Sequence, residues 1–148
     1  MEPFASIQFI SRDLEKIHER IGREGWTIEQ RGLFVKVILP QKHSRKFFNL
    51  LLYCYGYPRH PIDANFMPDP LHTNTVLWPY DNEGMFRIST SLNKIPFICM
   101  GGLKSYSPEE DSPSTPYMPS DINIANIITR IYQKINEINS TFVEVGVN

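Results

Sequence analysis

The chain is predicted to fold as an α+β domain, an antiparallel sheet with helices gathered on one side. Three observations predict it. Near the start, Ile7, Ile10, Leu14, Ile17 and Ile21 recur every three or four residues. Two runs rich in β-branched, aliphatic and aromatic residues follow, "WTIEQRGLFVKVILP" and "FFNLLLYCYGYP". Near the end, Ile124, Ile127, Ile128, Ile131, Ile135 and Ile138 again form a helical stripe. With 148 residues, 41% apolar and 12% aromatic, residues 1–148 suffice for one domain with one core.

The first stripe marks one amphipathic helix, closed by Gly22 and Gly25. In the next run Phe34, Lys36 and Ile38 alternate with Val35, Val37 and Leu39, the period of a strand, and Pro40 is expected to end it. "QKHSRK" is a polar turn. "FFNLLLYCYGYP" is a long strand stopped by Gly56 and Pro58, with Cys54 in mid-strand on the face of Phe48, Leu50 and Leu52. From about residue 56 to residue 120 little regular structure is expected. Of the 12 prolines all but Pro3 and Pro40 fall there, and each fixes φ and removes a backbone donor. An irregular stretch of that length in a small domain is commonly functional. The last helix is expected over Asp121–Phe142, capped by Ser120 or Asp121 and packed on the sheet.

Charge and composition exclude several classes of function. The formal net charge of −1 lacks the basic excess of a nucleic-acid binder. No apolar run approaches the roughly 18 residues that span a bilayer, and the N-terminus lacks a signal-peptide pattern. Two cysteines without such a signal predict free thiols in the reducing cytoplasm. His18, His43, His60 and His72 have no metal-ligand spacing, so neither a metal nor another cofactor is expected.

The two cysteines differ. Cys54, within an apolar strand, reads as a small core residue. Cys99 ends the apolar run that begins at Ile95 and opens into "MGGLKSYSPEED", where paired glycines permit unusual backbone conformations. The residue pattern alone fits a buried thiol or an accessible nucleophile there. No histidine lies within twenty residues of Cys99, which disfavours a Cys–His hydrolase.

The order of elements and two short motifs resemble the ubiquitin-conjugating (E2, UBC) family. That family has an N-terminal helix, a meander of strands, a "YPxxP" turn, an "IC[LM]" active-site segment in a long loop, then C-terminal helices. Here the turn is "YPRHP" (Tyr57–Pro61) and the segment is "FICM" (Phe97–Met100). The resemblance covers nearly the whole chain. Two departures stand out. The family's "HPN" asparagine lies eight residues before the cysteine, where this chain has Ser91, and the nearest asparagine is Asn93. The stretch between turn and cysteine is also longer. Both departures are similar to divergent prokaryotic E2-like proteins of antiphage operons, either the bacterial ubiquitin-like systems or CBASS.

The resemblance implies a transferase in which Cys99 forms a thioester with the C-terminus of a carrier protein. That carrier would be a ubiquitin-like protein or a cGAS-like nucleotidyltransferase, with a separate E1-like activating enzyme as a possible further partner and a target lysine as acceptor. Asn93 would be the oxyanion donor, with backbone N–H groups around Met100–Gly102 as the alternative. Glu109, Glu110 and Asp111 would orient the amine, or form a solvated acidic loop. Asp121 reads as a helix cap, Tyr106 as a loop tyrosine able to shield a thioester, and Trp78 and Tyr80 as core rather than part of a partner surface. Pro58 and Pro61 fix the turn. The rival reading is a non-catalytic E2-variant or RWD-like binding module, against which the presence of Cys99 argues.

Overall fold

A computed structural model describes residues 3–68, 75–80, 85–88, 96–98, 100, 103, 123–137 and 141–146. Two helices, not one, open the chain: α1 (Pro3–Glu15) and α2 (His18–Glu24). At the break Ile17 N–H donates to Leu14 C=O at 3.2 Å, an i→i−3 bond that tightens the turn. The isoleucine periodicity runs through this break, so the sequence does not reveal it. The bend buries Ile17 with Trp26 and sends Arg20 to Thr129 Oγ1 at 2.8 Å, its guanidinium above the Trp26 ring. Gly22 lies inside α2, and the helix ends at Gly25, whose φ of +75° is left-handed and whose N–H caps Ile21 C=O.

The first strand-like run is a hairpin, β1 (Thr27–Arg31) and β2 (Phe34–Gln41), joined at Gly32–Leu33. With β3 (Lys46–Tyr53) and β4 (Asp63–Phe66) it forms an antiparallel meander in the order β1-β2-β3-β4. Alternation divides its faces, broken only at Asn49 in β3, which is also buried. Val35, Val37, Leu39, Phe48, Leu50, Leu52, Ala64 and Phe66 are buried on one side. Pro40 does not end its strand: it sits within β2 opposite Phe47. β1 pairs with β2 only as far as Ile38, so Pro40 lies where that edge of β2 has no strand beside it and a missing N–H costs little.

Helix α3 (Ile124–Ile135) packs against α1 and β2. Its cap is Asn123, whose side chain accepts the Asn126 N–H at 2.8 Å, rather than Ser120 or Asp121. Ile124, Ile127, Ile128, Ile131 and Ile135 are all at most 1% exposed. At about 1.5–3 kcal/mol for each buried aliphatic side chain, this stripe dominates the docking of the helix. The helix stops well short of Phe142. Asn136 leaves the helical conformation at φ −97°, ψ 10°. Its side chain then joins the bare edge of β2. Asn136 Oδ1 accepts the Lys42 N–H at 2.8 Å and Nδ2 donates to Pro40 C=O at 3.0 Å, the two bonds a neighbouring strand would make. Beside it Gln41 Nε2 donates to Ile135 C=O at 2.8 Å, satisfying a terminal helix carbonyl.

Beyond the helix, Thr141–Gly146 forms strand β8, paired antiparallel with β5 (Thr75–Tyr80). β6 (Phe86–Ile88) pairs with β7 (Pro96–Ile98). The proline-rich middle therefore carries four strands, β4 to β7, where little regular structure was expected. Pro79 is tolerated because β5 has a single strand partner among the described residues, and Pro96 because it begins β7. Trp78 is fully buried edge-on against Phe66 (5.1 Å), and Phe86 packs on the same ring (5.6 Å), joining the small sheets to the meander. Among the described residues no helix is long and apolar enough to cross a membrane.

Candidate functional site

Cys54 lies one residue beyond β3, not in mid-strand, with its N–H bonded to Leu33 C=O at 2.9 Å. Its side chain is fully buried on the expected face with Phe48, Leu50 and Leu52. Burial disfavours the thiolate and pushes this thiol up to about 12. At neutral pH Cys54 is therefore a small apolar residue and not a nucleophile.

The "YPRHP" turn starts three residues further on and is built tightly. Gly56 has φ +72°, and a Cβ there would collide with the His60 ring, so only glycine fits. Both Arg59 N–H (2.9 Å) and His60 N–H (3.1 Å) donate to Gly56 C=O. The Tyr57–Pro58 peptide is cis. Tyr57 is 2% exposed, and its hydroxyl donates to the Asp13 carboxylate while accepting the Ile124 N–H at 3.2 Å. One phenol thus ties α1, the turn and the first residue of α3 together. Sequence reasoning assigned no role to Tyr57 or Asp13, and no local signal could have paired residues 44 positions apart.

The "FICM" segment is anchored on both sides of its cysteine. Ile98 at the end of β7 is fully buried, Met100 is 6% exposed and Leu103 1%. Leu103 N–H donates to Met100 C=O at 3.2 Å, and Leu103 forms a parallel bridge with Ile62, the residue after the turn. β7 also packs beside β4, which begins at Asp63. The fold therefore joins the flanks of the two motifs, Ile62 and Leu103, which lie 41 residues apart in the chain. Cys99 and Asn93 themselves lie outside the described residues, as do Ser91, Tyr106, Glu109, Glu110, Asp111 and Asp121. Pro58 and Pro61 frame the turn as expected. Among the described residues no group of three or more His, Cys, Asp or Glu could hold a metal ion.

No family model, no curated protein and no solved structure matches this chain.

Proposed function

We propose that this protein is an E2-like conjugating enzyme of bacterial antiviral defence, with Cys99 as its nucleophile. The reading rests on the motifs "YPRHP" and "FICM" in their order on the chain. The observation that supports it further is the Ile62–Leu103 bridge, which pairs the residue after that turn with a residue four positions beyond Cys99. Ile98 and Met100, the neighbours of Cys99 in sequence, and Leu103 are buried in the core, the kind of support a reacting group needs. The burial of Cys54 supports it by leaving Cys99 as the one candidate thiol of the chain's two.

In this reading the Cys99 thiolate attacks the activated C-terminal carbonyl of a carrier protein. The carrier is a ubiquitin-like protein or a cGAS-like nucleotidyltransferase, and the activating group leaves as the thioester forms. A free thiol near its ordinary pKa of about 8.5 supplies a few per cent of thiolate at neutral pH, so no histidine partner is required. A target lysine amine then attacks the thioester carbonyl, loses a proton and expels the Cys99 thiolate. The amide of Asn93 is the proposed donor to the oxyanion, a role worth about 3 kcal/mol in comparable sites. Glu109, Glu110 or Asp111 would orient the amine.

The test is an adduct assay with a ubiquitin-like protein or a cGAS-like nucleotidyltransferase as carrier, with and without an E1-like activating enzyme. Wild type and Cys54→Ala should form a thiol-sensitive adduct. Cys99→Ser should form none, or a thiol-resistant oxyester. A wild-type protein that forms no adduct with any activated carrier would return the chain to a binding module.

A further inference from the structure

The face of the meander opposite the core carries a pattern the conjugation reading does not use. Register places Arg31, Phe34, Tyr53 and Asp63 directly abreast, one on each of β1 to β4. All four are exposed: Phe34 by 44%, Tyr53 by 36% and the Arg31 side chain by 81%. The two rings touch, with centroids 4.7 Å apart. The adjoining row is Glu29, Lys36, Leu51 and Asn65. Two shallow depressions of about 180 and about 190 Å³ lie between the rows and share Phe34 and Leu51 in their linings. Two exposed aromatic rings in contact, with half-buried Leu51 beside them, give this sheet face an apolar centre of the kind interaction surfaces use.

The order within the first row identifies the occupant. Read across the sheet it is basic, aromatic, aromatic, acidic. Reversed, it is the complement of itself. A second copy laid face to face, about a two-fold axis parallel to the strands and passing between β2 and β3, meets the row in that reversed order. Arg31 then faces the partner's Asp63, and Phe34 faces the partner's Tyr53. In the second row Lys36 lies over the partner's Leu51 with its aliphatic stem, and Glu29 meets the partner's Asn65. Each contact occurs twice. Three strand spacings make the row about 14 Å long. Inclining the axis by about 15° to the strands, so that the two sheets cross at about 30°, displaces the ends of the row by roughly 4 Å, within the reach of an arginine.

We infer that this face is the interface of a two-fold homodimer, in which Arg31 pairs with the partner's Asp63 across paired Phe34 and Tyr53 rings. A uniformly acidic or uniformly basic partner would meet a like charge at one end of the row, whereas a second copy meets an opposite charge at both. The exposed Arg31–Glu29 pair at 2.8 Å within one copy is worth little in water and does not compete strongly with the intermolecular one.

Charge reversal tests it, because neither substitution touches the core. Sedimentation equilibrium of the wild type should show a concentration-dependent dimer. Arg31→Asp and Asp63→Arg singly each set like charges opposite one another twice and should weaken it by at least about tenfold. The double variant Arg31→Asp/Asp63→Arg restores opposite charges and should recover the wild-type dissociation constant within a few fold. Thermal melts should show all three variants folded. A wild type still monomeric at about 1 mM would overturn the inference. So would single variants that dimerise normally, or a double variant no better than the singles, which would mean another face or another symmetry axis.

Discussion

Alkylation of the native protein with iodoacetamide should attach one label, at Cys99, while Cys54 stays unmodified. The size of the difference follows from the buried thiol. At pH 8 a thiol near 8.5 is roughly one-quarter thiolate, whereas one near 12 is about one part in ten thousand. Thiolate supply alone therefore separates an ordinary exposed cysteine from Cys54 by about three orders of magnitude. Full burial of Cys54 adds the cost of a local opening before reagent can reach the sulfur. Intact-mass and peptide mass spectrometry over a time course would read both rates in one sample, with urea-unfolded protein as the two-label reference. Labelling of Cys54 within tenfold of Cys99 would refute the reasoning, and so would first labelling at Cys54. Either result would also remove Cys99 from its proposed role.

The same thiol makes stability fall in alkali. Its folded pKa lies above its unfolded one, so its contribution is complete below about pH 8.5 and declines as pH rises toward 12. Near pH 10 the loss should be about 1–2 kcal/mol, and urea midpoints of wild type and Cys54→Ala at pH 8 and pH 10 should show the larger drop in the wild type. Asn136→Ala removes the bonds to Lys42 N–H and Pro40 C=O and should cost about 1–3 kcal/mol in urea unfolding. An unchanged midpoint would mean that water replaces the side chain at the β2 edge. Asn93→Ala should slow transfer to lysine by roughly a hundredfold while sparing thioester formation at Cys99. Wild-type single-turnover rates would move the oxyanion donor to the backbone N–H groups after Cys99.

The sequence by itself determined what depends on local periodicity. Alternation identified residues 34–39 as strand and put Cys54 on the core face of Phe48, Leu50 and Leu52, because a strand must turn every second side chain to the same side. The isoleucine stripe placed α3 for the same kind of reason, at the helical period, though it continued to Ile138 and the helix stops at Ile135. The two motifs were also legible as strings, but nothing local says that they meet. Their meeting depends on the Ile62–Leu103 bridge and the packing of β7 beside β4. Tertiary structure alone decided the break between α1 and α2, the passage of β2 through Pro40, and the end of α3 at Ile135 in favour of strand β8. In each case a distant partner settles a choice that local propensity leaves nearly balanced. Arg20 reaches Thr129, the bare edge of β2 takes the Asn136 amide, and β5 pairs with Thr141–Gly146. Hydrogen bonds of about 1 kcal/mol are enough to tip differences of a few tenths per residue, and their partners lie tens of residues away, beyond the reach of any periodic pattern.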